Sequence, residues 1–112
     1  MFNFKPDNKA STNGTSYHGV AVTVNPKRLT AWLGNGQPCD DYKVSCEWVI
    51  VEENSGAVLT IYDWKSTSMY SGELPTPEQF WSAPLVHLHI GHDKKHLAVA
   101  HQLAATLLSL KE

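Results

Sequence analysis

Charge is scarce in this chain. Acidic and basic residues together make up 18% of its 112 positions, with a net charge of −2 and a pI near 6.3, where a typical domain carries about a quarter. Arg28 is the single arginine. A balance this close to neutral excludes a general nucleic-acid binder, which presents a basic face and a high pI. A small domain exposes much of its surface, and a surface this short of charge suits one that covers part of itself, so a homo-oligomer is expected.

Cysteine is nearly absent as well. Cys39 and Cys46 are too few for a disulfide framework and lack the C-x-x-C spacing of a redox or zinc motif. Cys46 lies in a predicted strand and reads as a small buried hydrophobe. Long apolar runs are missing too. The opening MFNFKPDNKASTNGTS has no apolar signal-peptide core, and no segment reaches the length of a membrane span. A cytoplasmic location without membrane contact is therefore expected. No G-x-G-x-x-G, Walker-type loop or G-x-S-x-G elbow occurs, and Gly34-Asn35-Gly36 reads as a plain loop. Glu52-Glu53 reads as a solvated acidic pair entering a turn. These gaps leave no catalytic mechanism, so the chain is read as a binding protein that needs no cofactor, not an enzyme.

What is present begins with a hairpin at residues 44–65. Val44, Cys46, Trp48, Ile50 and Val51 carry its first strand and Val58 to Trp64 its second, joined through Asn54-Ser55-Gly56, residues that tolerate the positive φ of tight turns. Upstream, residues 1–16 read as a polar arm, with Phe2 and Phe4 as the exceptions. Tyr17 to Val24 alternates as an edge strand. Asn25-Pro26 then predicts a helix start and Gly34 its stop, with Leu29, Trp32 and Leu33 on one face. Asn35 to Asp41 reads as a loop.

Ser66 to Pro84 is a long proline-containing connection carrying Met69, Tyr70, Phe80 and Trp81, and connections of this length are commonly functional. Leu85 to Ile90 predicts a strand broken by Gly91. Lys94 to Leu110 predicts the longest helix, with a stripe of Leu97, Ala100, Leu103, Ala104, Leu107 and Leu108. The whole reads as one α+β domain over residues 17–112. Its core is a small antiparallel sheet of three to four strands, with a short N-terminal and a long C-terminal helix packed on one face.

Five of the six histidines fall between His87 and His101. His87 and His89 share a strand face, and His92 and His96 share a helix face at i, i+4, both spacings at which imidazoles bind metal. Gly91 occupies the position where an H-x-H-x-D-H signature has its aspartate, and no cysteine or carboxylate completes a ligand set. His87, His89, His92 and His96 are thus metal candidates only in outline. His89 or His92, near a helix N-terminus, is the better candidate for donating to a bound anion.

The remaining chemistry gathers at the end of the hairpin. Tyr62, Trp64 and Tyr70 offer faces on which a base stacks. Arg28 and Lys65 offer cations for phosphate, and Asp63 an acceptor for a ribose hydroxyl. Tyr17-His18-Gly19, Leu29-Thr30-Ala31-Trp32-Leu33-Gly34, Tyr42-Lys43-Val44 with Glu47-Trp48-Val49-Ile50, Thr60-Ile61-Tyr62-Asp63-Trp64-Lys65 and His89-Ile90-Gly91-His92 follow one another in that order. Over residues 16 to about 105 this layout resembles a group of small bacteriophage proteins with an E-W-V-I, I-Y-[ND]-[YW]-K and W-H-I-G-G pattern. Leu88 replaces the tryptophan of the last motif and His92 its second glycine.

The resemblance implies a phage-encoded anti-defence protein acting in the host bacterial cytoplasm. By analogy of size and composition it is similar in kind to the Thoeris anti-defence proteins, which hold cyclic nucleotide signals without cleaving them. A protein-binding inhibitor of a CRISPR or restriction effector is the alternative expectation, using Met69, Tyr70, Phe80 and Trp81 as its surface. A histidine-dependent metal hydrolase is the third.

Overall fold

A computed structural model describes residues 2–39 and 42–110; Met1, Asp40, Asp41, Lys111 and Glu112 lie outside it. The chain runs β1 (Phe4–Pro6), β2 (Ser16–Val24), α1 (Pro26–Leu33), β3 (Gln37–Pro38), β4 (Cys46–Glu52), β5 (Ala57–Tyr62), α2 (Pro77–Ser82), β6 (Val86–His92), a 3-10 turn at Lys94–His96, and α3 (Leu97–Ser109). Every strand pairing is antiparallel. The sheet has six strands in the order β1-β4-β5-β6-β2, with β3 also against β4. It exceeds the expected three to four strands because two short segments, Phe4–Pro6 and Gln37–Pro38, pair along β4. Segments of two or three residues carry too little periodicity to be read from sequence.

The hairpin forms with Glu52 opposite Ala57, and Gly56 takes φ of 74° to close the turn. Alternation then sorts the side chains. Trp48, Ile50, Leu59, Ile61, Leu88 and Ile90 point to one face, where they bury against Val20, Val22 and Val24, against Leu29 and Leu33 of α1, and against Val99, Ala100, Leu103 and Leu107 of α3. Fully burying such an aliphatic side chain is worth about 1.5–3 kcal/mol. Helix α1 starts at Asn25, whose side chain accepts from Lys27 N–H, and ends at Gly34 with φ of 79°. Two strands precede it, so it is not the opening element.

Three other expectations change. Leu97 and Leu108 stay exposed, and Val99 takes a core position, because α3 docks through the narrow i, i+4 row of Val99, Leu103 and Leu107. Gly91 does not break its strand: it pairs with Tyr17, and a Cβ there would lie 2.4 Å from Thr60 Oγ1, so the position needs glycine for room. Glu52 is fully buried, not solvated. Its carboxylate accepts from the N–H groups of Asn3, Asn54 and Ser55, tying β1 to the hairpin turn. Burial works against its charge, yet those donors hold it at about 2.

Candidate ligand-binding face

The sheet face turned away from α1 and α3 carries the chemistry. Register sets it out in rows. Glu47 pairs with Tyr62 and Tyr62 with His89, while in the next row Thr60 pairs with Gly91 and Gly91 with Tyr17. Beyond β5 the alternation continues, so Trp64 joins Tyr62 on this face and Asp63 turns the other way. Lys65, at φ of 54°, donates its N–H to the Lys43 carbonyl at 2.7 Å and swings the chain out of the sheet.

Four rings form an open box. Tyr17 stacks on His89 at 3.9 Å with planes 14° apart. Trp64 lies on the ring of His89 at 6.4 Å and 19°. Tyr62 stands edge-on to both, 6.3 Å from Trp64 at 78° and 5.8 Å from His89 at 73°. Trp64 and His89 are thus two nearly parallel rings with Tyr62 edge-on to both. A cavity of about 310 Å³ is lined by these rings, Tyr17 and Ser16. A second, of about 330 Å³, shares Ser16, Tyr62 and Trp64 with it and adds Glu47, Thr60, Thr12 and Thr15.

The electrostatics follow from partial burial. Burial pushes the Glu47 carboxyl above the usual carboxylate range. Burial, then the nearby Glu47 charge and Tyr17, push the Tyr62 phenol up. Burial, then His87, push His89 down, which favours a neutral imidazole at pH 7. Outside the box, Lys43 and Lys65 lie 5.6 and 5.5 Å from the Trp64 ring centre. Lys65 also sits 5.2 Å from the Tyr70 ring, and Tyr70 stacks with Tyr42 at 6.0 Å. Trp64, Tyr42 and Tyr70 are all exposed.

The structure therefore brings together Tyr62, Trp64, Lys65, Tyr70 and His89 from the sequence-predicted set. It separates three others. Asp63 is fully buried, with its carboxylate accepting from Ser45 N–H, Ser45 Oγ–H and Cys46 N–H at 2.8–3.1 Å, so no ribose hydroxyl reaches it. Arg28 sits in the helical layer and donates to the Leu110 carbonyl, away from Tyr62. His92 is fully buried on the core side, with Nδ1 2.7 Å from the Asp93 carbonyl.

Among the described residues no group of three or more His, Cys, Asp or Glu side chains converges on a metal position. His87 and His89 are 6.0 Å apart, His87 reaches Thr23 Oγ1, and His96 lines a separate cavity with Asp93 and Lys95. Ser16 Oγ and His18 Nε2 lie 3.0 Å apart, but no acidic group among the described residues orients that imidazole as a base.

Sequence reasoning missed Tyr17, Glu47, Thr60 and Lys43. Glu47 stood in the E-W-V-I motif, and only the hairpin register shows that it faces Tyr62. The long connection also differs: its residues 77–82 fold into α2, started by a reciprocal Thr76–Gln79 capping box. Phe80 and Trp81 are half-buried and pack on the core, and Trp81 donates its indole N–H to Ser45 Oγ. Of the four side chains in that loop read as an interaction surface, Tyr70 alone is exposed.

Another cavity, of about 480 Å³, lies on the helical side between α1, Trp48 and Trp81. There burial, then Cys39 and Asp63, push the Cys46 thiol up to about 11, so it stays protonated and unreactive. No described helix is long and apolar enough to cross a membrane. The chain matches no protein-family model and no curated protein sequence.

Proposed function

We propose that this protein binds a nucleotide on the open face of its sheet and holds it without cleaving it, as a phage-encoded sponge for a nucleotide immune signal would. The observation that carries the reading is the pair of near-parallel rings, Trp64 and His89, with centroids 6.4 Å apart and planes 19° apart, and with Lys43 and Lys65 beside Trp64. A base placed between two rings stands about 3.5 Å from each, and Trp64, exposed at the end of the hairpin, is the ring that moves to admit it. Tyr62 stands edge-on beside the slot, and the two ammonium groups stand where phosphates attached to that base meet solvent.

Holding rather than cleaving is supported by the spacing of the titratable groups. Glu47 and His89 are separated by two strand spacings, about 10 Å, with Tyr62 between them, too far to act on one another as acid and base. The proposal includes a homo-oligomer, supported by β2. This nine-residue strand lies at the sheet edge without a single Lys, Arg, Asp or Glu, and such an edge readily pairs with another strand.

The test is calorimetric titration with a panel of cyclic and linear nucleotides, followed by chromatography of the recovered ligand. The expected result is micromolar binding, intact ligand, and a loss of about tenfold to a hundredfold in Trp64→Ala, since a base–aromatic stack is worth about 1–3 kcal/mol. A ligand that returns altered, or equal affinity in Trp64→Ala, refutes the reading.

A further inference from the structure

Beside the aromatic slot, sharing Ser16, Tyr62 and Trp64 with it, lies the cavity that Glu47 lines. Its lining is unlike the slot's. Thr12, Thr15, Ser16 and Thr60 supply hydroxyls, and Glu47 supplies the single carboxylate. Among the described residues that carboxylate has no hydrogen-bond donor and no ion pair. An ionised carboxylate only accepts hydrogen bonds, and four sites are open on its two oxygens.

The complement of this cavity is therefore a neutral group rich in O–H donors. A phosphate is excluded, because it places a second anion against Glu47. A divalent cation is not supported, since no group of three or more metal-ligating side chains converges among the described residues. A vicinal diol fits, as its two O–H groups meet the two oxygens of one carboxylate. The same pairing holds a ribose in dinucleotide-binding folds.

The register joins the two parts. Glu47, Tyr62 and His89 lie in one row across β4, β5 and β6, so a base beside His89 has its sugar directed one strand over, past Tyr62. We infer that the cavity beside the slot is a ribose subsite, in which Glu47 accepts the free 2′- and 3′-hydroxyls of a ribonucleotide whose base lies between Trp64 and His89. The inference rests on the nucleotide reading above and narrows it. The ligand is a ribonucleotide esterified at the 5′ position, not a 2′-deoxynucleotide and not one carrying a 3′-phosphate.

The experiment is equilibrium binding of the four ribonucleoside 5′-monophosphates, their 2′,3′-dideoxy counterparts and the four 3′-monophosphates to the full chain. For the preferred base, the 5′-ribonucleotide binds about tenfold to a hundredfold tighter than the dideoxy form, the range expected for hydrogen bonds to a charged group. The 3′-monophosphate is weaker still. In Glu47→Ala the ribose preference shrinks to within about threefold.

Equal binding of ribose and dideoxy forms overturns the ribose subsite and leaves the nucleotide reading standing, provided Trp64→Ala still weakens both. A preference that survives in Glu47→Ala also overturns it. Absence of binding by every base in every sugar form, up to millimolar ligand, overturns the subsite and the nucleotide reading together. The ribose-to-dideoxy comparison on the unaltered protein keeps the test decisive if Glu47→Ala does not fold.

Discussion

At the residue scale the molecule separates two acidic side chains that lie close to the same hairpin end. Asp63 faces the core and is consumed by structure: it ties Ser45 and Cys46 at the start of β4 to the end of β5. Removing it leaves two buried backbone N–H groups without an acceptor, each costing roughly 1–3 kcal/mol. Asp63→Ala is therefore expected to lower stability by on the order of 3 kcal/mol in urea unfolding, while affinity for the ligand in the surviving folded fraction is unchanged. Glu47 behaves in the opposite way, as it faces the open cavity. Burial lifts its proton affinity, so the charged acceptor form is lost on acidification sooner than for an ordinary carboxylate.

At the scale of elements, the β4–β5 hairpin is the organising unit, and Glu52 is its knot. One carboxylate gathers N–H groups from Asn3, Asn54 and Ser55, so it shapes the turn and holds the strap of β1 to the sheet together. Its folded pKa, near 2, lies below the value of 4.5 for a free side chain. The unfolded chain therefore takes up its proton first as pH falls. The stabilisation is complete above about pH 4.5 and drains away between there and about pH 2. Far-ultraviolet circular dichroism across that window is expected to show acid unfolding in the natural chain. Glu52→Gln is expected to be less stable at pH 7 and to lose the part of the acid dependence that lies between those values. An unchanged acid profile in Glu52→Gln rules out this role.

At the scale of the whole molecule, the two faces of one sheet have divided labour. One is covered by α1 and α3 and holds the apolar core; the other is turned away from those helices and carries Tyr17, Glu47, Tyr62, Trp64 and His89 exposed or half-buried, with Thr60 buried among them. The outer edge of β2 is where the proposed second copy would pair. Light scattering coupled to size exclusion is expected to give a mass of two chains or more. Ala21→Lys, a charge in the middle of that edge strand, is expected to shift the mass towards 12.4 kDa. A monomer in both proteins removes the oligomer from the proposal.

What the amino-acid order determined by itself was whatever repeats with a short period or sits at a turn. The hairpin, the Asn25-Pro26 start and Gly34 stop of α1, the C-terminal helix and the aromatic–lysine cluster at Tyr62 to Lys65 were all legible, because local propensity and alternation decide them. The short pairing strands, the strand role of Gly91 and the burial of Glu52 were decided by partners distant in sequence: Phe4 by Glu52, Gly91 by Thr60 and Tyr17, Glu52 by Asn3.

The same holds for the site. Alternation put Tyr62 and Trp64 on one face and Asp63 on the other. That the candidate site lies on the face turned away from the helices, and that Glu47, Tyr17 and His89 join it while Arg28 and His92 do not, depended on which face the helices cover and on the register of strands separated by tens of residues. A one-residue slip in that register sends every side chain of a strand to the opposite face, and only the packed core, by burying Leu59, Ile61, Leu88 and Ile90 together, removes that freedom.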